Sequence, residues 1–437
     1  MYKKLLQINL GNKSIVLMFT AIHTACALLL GNFTGFAIDE YGYAEVLKYL
    51  YDQNQSTSNF SVWVNSNLIF LRLLYLPAKI LIILGFDVIL SLRFLSILFS
   101  TISLILILRS CRDLNYFYIK PKNLAVFIFL FPSIFLWTFL GLRESFIILF
   151  ITLLFYGINK FTQTTKVSSA VYICLGAIGL SQTKLYLFTL ILFSLFLSAV
   201  VMLVINKKMS FTELAVLGIV LIPTIIFPSL VKNMVNTGQG VLTNLVNQQQ
   251  GQQQGQQQGQ QQGQQQGQQS EGMTSYQFDY FLRNSEGSAF IKIIKIVGLD
   301  SYLKSNNLSK PVDIRLAISR PDISDPGAIF ISGAKFLFLP VPLLNNGSIF
   351  LNLISFEMFL WLILYVIFLI FMFRASKVIK KMEFVILWPF IFLISFLIFS
   401  SLFEINLGTI IRHRSILATA ILISIINLHS KKKANLR

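Results

Sequence analysis

The sequence predicts an all-α, polytopic integral membrane protein, and three observations support this fold class. Hydrophobic residues make up 55% of the 437 residues, charged residues only 12%, and the mean hydropathy is +0.70. Apolar runs recur along the chain, and many approach the roughly 20 residues that cross the hydrocarbon of a bilayer. The runs are continuous rather than alternating, so they indicate helices and not the strands of a β-barrel.

Ten apolar runs predict about ten transmembrane helices. They are 14–31, 86–108, 123–141, 146–158, 168–181, 185–205, 211–230, 348–373, 384–402 and 415–428. Several runs are shorter than a full crossing, so we expect the helices to extend into the flanking polar residues. No small-residue cleavage site follows the first run, which favours an uncleaved first helix over a signal peptide.

One further apolar segment, 67–85, contains Arg72, Pro77 and Lys79. These residues favour an interfacial or re-entrant segment over a lipid-facing span. If this segment crossed the membrane fully, the basic residues that follow the next run would lie on the outer side. The positive-inside pattern described next would then be broken.

The distribution of Lys and Arg predicts the orientation of the chain. With the N-terminus in the cytoplasm, about half of the 36 Lys and Arg residues fall in short cytoplasmic loops, as the positive-inside rule requires. Ten crossings with both termini in the cytoplasm is the arrangement that keeps this pattern. The formal net charge of +18 is explained by the same loops, so we predict the lipid bilayer as partner and no nucleic acid.

This layout divides the chain into three parts. Residues 1–230 form an N-terminal transmembrane half with a first outer loop at 32–66. Residues 231–347 form a long outer loop, and 348–437 form the C-terminal transmembrane helices. Within the long loop, 247–269 repeats Gly and Gln with a period of four, and such a repeat has no apolar face to bury. We therefore predict that the repeat is disordered.

Two other segments of the long loop are apolar. The segment "FIKIIKIVGL" at 290–299 is amphipathic with two Lys residues, which predicts a helix on the membrane surface. The segment "ISGAKFLFLPVPLL" at 331–344 is interrupted by Pro340 and Pro342. It predicts a helix that dips partway into the membrane and ends at the first Pro.

Several classes of chemistry find no support in the sequence. Cys26, Cys111 and Cys174 lie in or beside apolar runs without CxxC spacing, so we expect neither a disulfide nor a metal site from them. No P-loop, GxGxxG or HExxH motif occurs, which argues against nucleotide-driven and zincin chemistry.

The predicted topology places the unusual polar groups on the outer side, and the first of them are Asp39 and Glu40. One interpretation is structural, because acids at the start of a short helix complement its dipole. The other is chemical. A carboxylate at the membrane surface can act as general base toward a sugar hydroxyl, or can hold a divalent cation beside a phosphate.

A second polar interruption, Arg143 and Glu144, breaks an apolar stretch within "FPSIFLWTFLGLRESFIILF". Ionisable groups near the membrane are costly and usually face a partner or a wet cavity. The two side chains are interpreted either as a mutual ion pair at a helical hairpin turn or as a site where Arg143 contacts a phosphate. Lys184, between two short spans, faces a phosphate or the membrane interface.

A third group precedes the last helix and contains Arg412, His413 and Arg414. Interfacial anchoring by long Arg side chains is one interpretation. Against it, outward-facing Arg residues run opposite to the positive-inside bias, and an anionic phosphate would compensate their charge. We expect Arg412 and Arg414 to lie on different faces of the helix. His413 is interpreted as a structural residue or as a proton relay.

Three further polar residues lie within the spans. Arg93 and Glu357 are interpreted as a pair or as two residues that line one cavity. His23 is expected to be a packed polar residue.

Three features carry a resemblance to a known group of enzymes. They are Asp39-Glu40 in the first outer loop, the segment "FPSIFLW" followed by "LRES", and "NLGTIIRHR" before the final helix. The segment "FLFLPVPLL" ahead of a helix with Glu357 adds to them. In these features and in its layout the chain resembles bacterial integral-membrane glycosyltransferases of the GT-C type, a group that includes O-antigen polymerase-like and polyprenyl-phosphate-sugar-dependent enzymes.

The resemblance implies a GT-C-like fold in the bacterial plasma membrane, a polyprenyl-phosphate-linked saccharide as donor and a glycan as acceptor. Asp39 or Glu40 would then be the base, and the phosphate and substrate side would be formed by Arg143, Glu144, Lys184, Arg412, His413 and Arg414. The acids are adjacent rather than spaced as DxD, so the need for a divalent cation stays open. Two other functions stay open as well: a transporter or flippase of lipid-linked glycans, and a non-catalytic membrane assembly protein.

Overall fold

The computed structural model describes residues 10–31, 38–51, 71, 74–110, 123, 126, 128–129, 131–206, 210–226, 326–339, 349–378, 384–403 and 407–435. Within these ranges 93% of the residues are helical and none lies in a strand. We label the helices α1 (Leu10–Leu30), α2 (Ile38–Tyr51), α3 (Val88–Ser110), α4 (Pro132–Phe139), α5 (Glu144–Thr164), α6 (Val167–Thr183), α7 (Leu185–Asn206), α8 (Phe211–Ile226), α9 (Pro326–Phe338), α10 (Ile349–Val378), α11 (Phe384–Phe403) and α12 (Leu407–Asn435).

Four of the described helices contain stretches long and apolar enough to cross a membrane. They are Lys13–Leu30 in α1, Val88–Ser110, Glu144–Thr164, and Leu185–Ile205 in α7. Shorter apolar helical stretches occur in α6, α8, α9, α10 and α11. The described part of the chain is therefore all-helical and has helices suited to a membrane, as the sequence predicts at this level.

The helix ends follow the expected pattern. The short apolar runs 146–158, 168–181 and 415–428 belong to longer helices, because α5, α6 and α12 all extend into flanking polar residues. The helix α9 ends at Phe338, just before Pro340, as the proline predicts. The Gly/Gln repeat 247–269, the segment 290–299 and Cys111 lie outside the described residues.

The segment predicted to be interfacial contains a short helix, Leu74–Ile83. Ten residues of α-helix measure about 15 Å, which is half of the hydrocarbon thickness. Its buried side chains Leu74 and Ala78 pack with α2 and with the start of α3. The helix therefore belongs to the same apolar cluster as α2, the helix that carries Asp39 in its first turn.

Helices α5 and α6 form a closely packed hairpin because glycines face the contact. A Cβ atom at Gly176 would lie 2.7 Å from the backbone of Phe150 and Leu154, and one at Gly179 would overlap the Phe150 ring. Small residues at such contacts let two membrane helices approach closely. Thr165, in the left-handed region at φ 48°, ends α5 and turns the chain into α6. The hairpin thereby brings the start of α5 and the end of α6 to the same end of the bundle.

Two apolar cores hold the bundle. The larger core joins α5, α6, α7, α10, α11 and α12, and in it the Phe155 and Trp388 rings lie 4.2 Å apart between centroids with their planes tilted by 42°. The smaller core joins the end of α1, α2, the start of α3 and the end of α4, and it includes Tyr43 and Trp137. Asp39 and Glu40 lie on α2 beside this smaller core, whereas Arg414 contacts Phe336 and Met358 of the larger core.

Candidate functional site

Six of the eight predicted site residues meet at one end of the bundle. The residues of this polar cluster are Asp39, Tyr43, Trp137, Arg143, Glu144, Lys184, Tyr186, Arg412 and His413. They come from the start of α2, the end of α4, the start of α5, the α6–α7 junction and the second turn of α12. With 137–144 taken as one stretch, four separate stretches of sequence are therefore brought together by the helix packing.

Asp39 and Arg412 form the first contact of the cluster. Arg412 Nη1 donates to Asp39 Oδ2 at 2.5 Å, and the two side chains are 23% and 41% exposed. The guanidinium of Arg412 also lies over the Trp137 ring, 5.0 Å from its centroid. This cation–π contact and the single ion pair fix the plane of the guanidinium.

Arg143 and Glu144 form the second part, at the turn that precedes α5. Glu144 is 3% exposed and acts electrostatically on both Arg143 and Arg412. Arg143 also lies in the field of Asp39, Tyr43 and Tyr186. Burial raises the pKa of Tyr43, so its hydroxyl stays protonated at neutral pH. Glu144 thus belongs to a shared network rather than to Arg143 alone.

Lys184, His413 and Tyr186 form the third part. Lys184 Nζ lies 2.6 Å from His413 Nε2, and the Tyr186 hydroxyl lies 3.3 Å from the same nitrogen. An ammonium group can only donate, so Nε2 accepts, and a neutral His413 then carries its proton on Nδ1. Tyr186 stacks on Phe399, with the ring planes 15° apart.

Three members of the cluster were missed by sequence reasoning, namely Tyr43, Trp137 and Tyr186. Tyr186 follows Lys184 by two residues in a polar break between apolar runs, and this position is the one signal that could have identified it. Trp137 lies inside the apolar segment "FPSIFLW" and gives no comparable signal. Its position under Arg412 becomes visible only when α4 and α12 are packed together.

Glu40 lies outside the polar cluster and is engaged elsewhere. Arg93 donates to both of its carboxylate oxygens, Nε and Nη2 each at 2.7 Å, and both side chains are fully buried. The Gly141 amide donates to Glu40 Oε1 at 2.7 Å, and Arg93 Nη1 donates to the Gly31 carbonyl at 2.6 Å. Arg93 therefore pairs with Glu40 and not with Glu357. With its oxygens bonded in this way, Glu40 has a structural role in this geometry.

Gly141 makes this arrangement possible. A Cβ atom at this position would lie 2.7 Å from Leu92 Cβ and 3.0 Å from Glu40 Oε1. Only glycine lets the backbone between α4 and α5 come close enough to donate to the carboxylate. The Glu40–Arg93 pair therefore ties α1, α2, α3 and the turn before Arg143 to one another.

Arg414 also lies outside the polar cluster. Its Nε donates to the Phe336 carbonyl at 2.9 Å, its Nη2 donates to the Leu339 carbonyl, and its Nη1 lies 2.8 Å from Met358 Sδ. The two carbonyls belong to the C-terminal end of α9, where basic side chains stabilise a helix. Arg414 thus anchors α9 to α12, while Arg412 on another face of α12 points to the cluster.

Glu357 and His23 have packed, structural environments. Glu357 accepts hydrogen bonds from the Ser133 amide and hydroxyl and from Trp361 Nε1, so it caps the N-terminus of α4. His23 Nδ1 lies 2.8 Å from the Phe19 carbonyl, and Nε2 lies 3.0 Å from the Thr138 hydroxyl. The prediction that His23 is a packed polar residue is confirmed.

Three buried polar atoms of the cluster have no hydrogen-bond partner among the described residues. They are Trp137 Nε1, Glu144 Oε2 and Arg412 Nε. A buried polar atom without a partner costs about 1–3 kcal/mol, so their concentration at one place calls for an explanation. Among the described residues, no group of three or more His, Cys, Asp and Glu side chains is placed to hold a metal ion.

Comparison of the chain with protein-family models, with curated proteins and with solved structures finds no match. The chemistry of the polar cluster therefore carries the functional argument. The cluster contains three basic side chains, Arg143, Lys184 and Arg412, and two carboxylates, Asp39 and Glu144, at the edge of an apolar bundle. Such a site can neutralise an anionic group and remove a proton within the same small volume.

Proposed function

We propose that the chain is a membrane glycosyltransferase of the polysaccharide-polymerase type. It transfers a saccharide from a polyprenyl-phosphate-linked donor to a glycan acceptor at the outer face of a bacterial plasma membrane. The observation that carries the proposal is the convergence of Arg143, Lys184 and Arg412 with the carboxylates of Asp39 and Glu144.

The basic residues suit the leaving group of this reaction. When the sugar leaves its lipid carrier, negative charge develops on the phosphate, and positioned cations stabilise that charge in a poorly hydrated site. Arg143 offers a planar fork of donors that matches phosphate oxygens, and Lys184 supplies a point charge. His413 Nε2 accepts from the Lys184 ammonium, and the Tyr186 ring lies 5.3 Å from it, so both hold the ammonium in place.

The helix packing is compatible with the proposed orientation, in which the cluster lies on the outer side. Ser110, Asn159 and Ile426 line one pocket, so the ends of α3, α5 and α12 lie together. Asn159 is 15 residues along α5 from Glu144, a distance of roughly 22 Å. Arg109 and Lys160 lie at this far end, and the positive-inside rule assigns such an end to the cytoplasm.

The interior of the bundle favours a fixed site over a transport path. Below Glu144, helix α5 buries Ile147, Ile151, Leu154 and Ile158 in the larger core. A carrier of lipid-linked glycans would need polar groups along the whole path of its substrate. The charged residues of the cluster lie instead at one end of the helices.

The test compares surface glycan length in a wild-type strain, a deletion strain, and deletion strains that express full-length variants. Arg143→Gln and Arg412→Gln remove a cation from the cluster, and Lys160→Gln removes an exposed cation at the opposite end. We expect the deletion to leave short glycan, which the wild-type gene and Lys160→Gln lengthen again. The cluster variants should lower the rate of extension by about 10²-fold or more.

Two outcomes would oppose the proposal. If the deletion leaves the glycan unchanged, the chain is not the polymerase. If lipid-linked saccharide instead accumulates on the cytoplasmic leaflet of the deletion strain, the chain is a flippase. Full restoration by both cluster variants would remove the polar cluster as the site.

A further inference from the structure

The three atoms without partners in the polar cluster share a pattern of donors and acceptors. Trp137 Nε1 and Arg412 Nε are donors, and Glu144 Oε2 is an acceptor in its ionised form. A hydroxyl group has one proton to donate and two lone pairs that accept. Two donors and one acceptor are therefore the complement of a single hydroxyl group.

These atoms are held by rigid surroundings. Trp137 is 4% exposed and belongs to the smaller core, and Arg412 is fixed over its ring by the ion pair with Asp39. Glu144 is 3% exposed in the first turn of α5, where the helix dipole favours its negative charge. A site that is rigid before its ligand binds spends little free energy on ordering.

Glu144 differs from the other two acids near the site. Glu40 is bonded on both oxygens by Arg93, and Asp39 is bonded by Arg412. Glu144 lies in the field of Arg143 and Arg412, yet its Oε2 has no partner among the described residues. It is therefore the buried carboxylate of the cluster with an oxygen available for a substrate proton, whereas Asp39 is 41% exposed and accepts from Arg412 through Oδ2.

We infer that Glu144, Trp137 and Arg412 form the subsite for the acceptor hydroxyl and that Glu144 is the general base. This inference rests on the proposed glycosyl transfer. Trp137 Nε1 and Arg412 Nε donate to the acceptor oxygen and orient it, and Glu144 Oε2 accepts its hydrogen bond. The ligand is a saccharide hydroxyl, and the phosphate lies on the side of Arg143 and Lys184.

The reaction step balances in atoms and charge. The acceptor O–H bond breaks and its proton goes to Glu144, while the oxygen forms a bond to the anomeric carbon of the donor sugar. The bond from that carbon to the phosphate oxygen breaks, and the electron pair leaves with the lipid phosphate. Glu144 then releases its proton to water, so the products are the glycoside, the lipid phosphate and one proton.

Trp388 and Trp137 each have a buried indole N–H without a partner among the described residues, but their surroundings differ. Trp388 packs in the larger core against Phe155. An isolated indole N–H in an apolar core is a tolerated cost of burying a large ring. Trp137 differs because a carboxylate and a guanidinium with unpartnered atoms belong to the same cluster.

The test measures the rate of glycan extension in membranes that contain full-length variants. Glu144→Gln keeps the size of the side chain and removes its basicity, so we expect a loss of about 10²–10⁴-fold. Trp137→Phe keeps a ring and removes the donor, so we expect a loss of about 10-fold. The matched controls are Glu45→Gln, an acid paired with Lys48 outside the cluster, and Trp388→Phe. Both should extend glycan at the wild-type rate.

A second measurement separates the base from the phosphate site. Polyprenyl monophosphate should raise the unfolding temperature of the purified wild-type protein and of Glu144→Gln by the same amount. Arg143→Gln should lose this shift. If Glu144→Gln loses the shift as Arg143→Gln does, Glu144 belongs to the phosphate site and the inference is overturned.

The remaining outcomes also decide the question. A wild-type rate in Glu144→Gln overturns the inference even when Arg143→Gln is inactive, and in that case the glycosyltransferase proposal survives. A deletion without effect on glycan overturns both. If Glu144→Gln does not accumulate in the membrane, Glu144→Asp replaces it, because this variant keeps the charge and withdraws the carboxylate by one methylene. A wild-type rate in Glu144→Asp would then oppose the role of Glu144 as a positioned base.

Discussion

Asp39 and Glu40 are neighbours in the sequence, yet each pairs with an arginine in a different environment. Glu40 and Arg93 are fully buried, joined by two hydrogen bonds, and bonded further to Gly141 and Gly31. The pair of Asp39 and Arg412 is partly exposed and has one hydrogen bond, and Arg412 Nε has no partner among the described residues.

The buried Glu40–Arg93 pair has a structural role, whereas the charged groups of the polar cluster keep atoms available for a ligand. A buried ion pair is tolerated only when its remaining donors and acceptors are satisfied, and the Glu40–Arg93 pair meets that condition. The polar cluster keeps unsatisfied atoms in spite of their cost, as sites that bind polar ligands do. The predictions below test this distinction, from the largest expected effect to the smallest.

The largest effect is expected for Arg93→Met. The substitution leaves the Glu40 carboxylate buried without its cation, which costs about 3–5 kcal/mol of the free energy of unfolding. Titration with SDS in mixed micelles measures this free energy. Arg412→Met is the control, since its partner Asp39 is well solvated, and we expect it to lose less than about 1 kcal/mol. Equal losses in the two variants would contradict the distinction.

The second effect is expected for Arg414→Met. The variant leaves the carbonyls of Phe336 and Leu339 without their donor, so we expect a loss of roughly 2 kcal/mol of the free energy of unfolding. Because Arg414 lies outside the cluster, glycan extension per molecule should stay within about threefold of the wild type. Loss of activity at normal protein levels, as expected for Arg412→Gln, would place Arg414 in the site after all.

Much of the cluster was predictable from the sequence, because charged residues that interrupt apolar runs are costly and need a common environment. This reasoning identifies Asp39, Arg143, Glu144, Lys184, Arg412 and His413 from the sequence alone. It could not assign Glu40 and Arg414, because each lies one or two residues from a cluster member. Each residue of an α-helix is rotated by about 100° from the last, so the choice of face depends on packing.

The aromatic members of the cluster were beyond sequence reasoning for another reason. The chain contains 41 Phe, 15 Tyr and 4 Trp residues, and most of them fill apolar space. Trp137 and Tyr186 differ from the others only through the tertiary partners of their polar atoms. A sequence pattern reports the periodicity of one helix, whereas these contacts join α4 or α7 to α12.

The third effect concerns the close packing of α5 and α6, which sets the distance between Glu144 and Lys184. In Gly176→Ala the new methyl group would meet the backbone of Phe150 and Leu154, so the free energy of unfolding should fall by about 1–3 kcal/mol. Gly218→Ala in α8 is the matched control, because nothing lies within 4 Å of its Cβ position. This control should gain up to about 1 kcal/mol from helix propensity. A gain in both variants would show that the α5–α6 contact is looser than described.

The smallest effect is expected for the coupling between Asp39 and Arg412. A double-mutant cycle with Asp39→Asn and Arg412→Gln should give a coupling of about 0.5 kcal/mol in the free energy of unfolding, because water screens this exposed pair. The same cycle on glycan extension should give a much larger coupling if, as proposed, Asp39 fixes the guanidinium of Arg412 at the acceptor site. Asp39→Asn alone should then lose activity while it unfolds almost like the wild type. A coupling above about 3 kcal/mol in stability would instead place Asp39 and Arg412 in the same class as Glu40 and Arg93, and the distinction between the two arginines would fail.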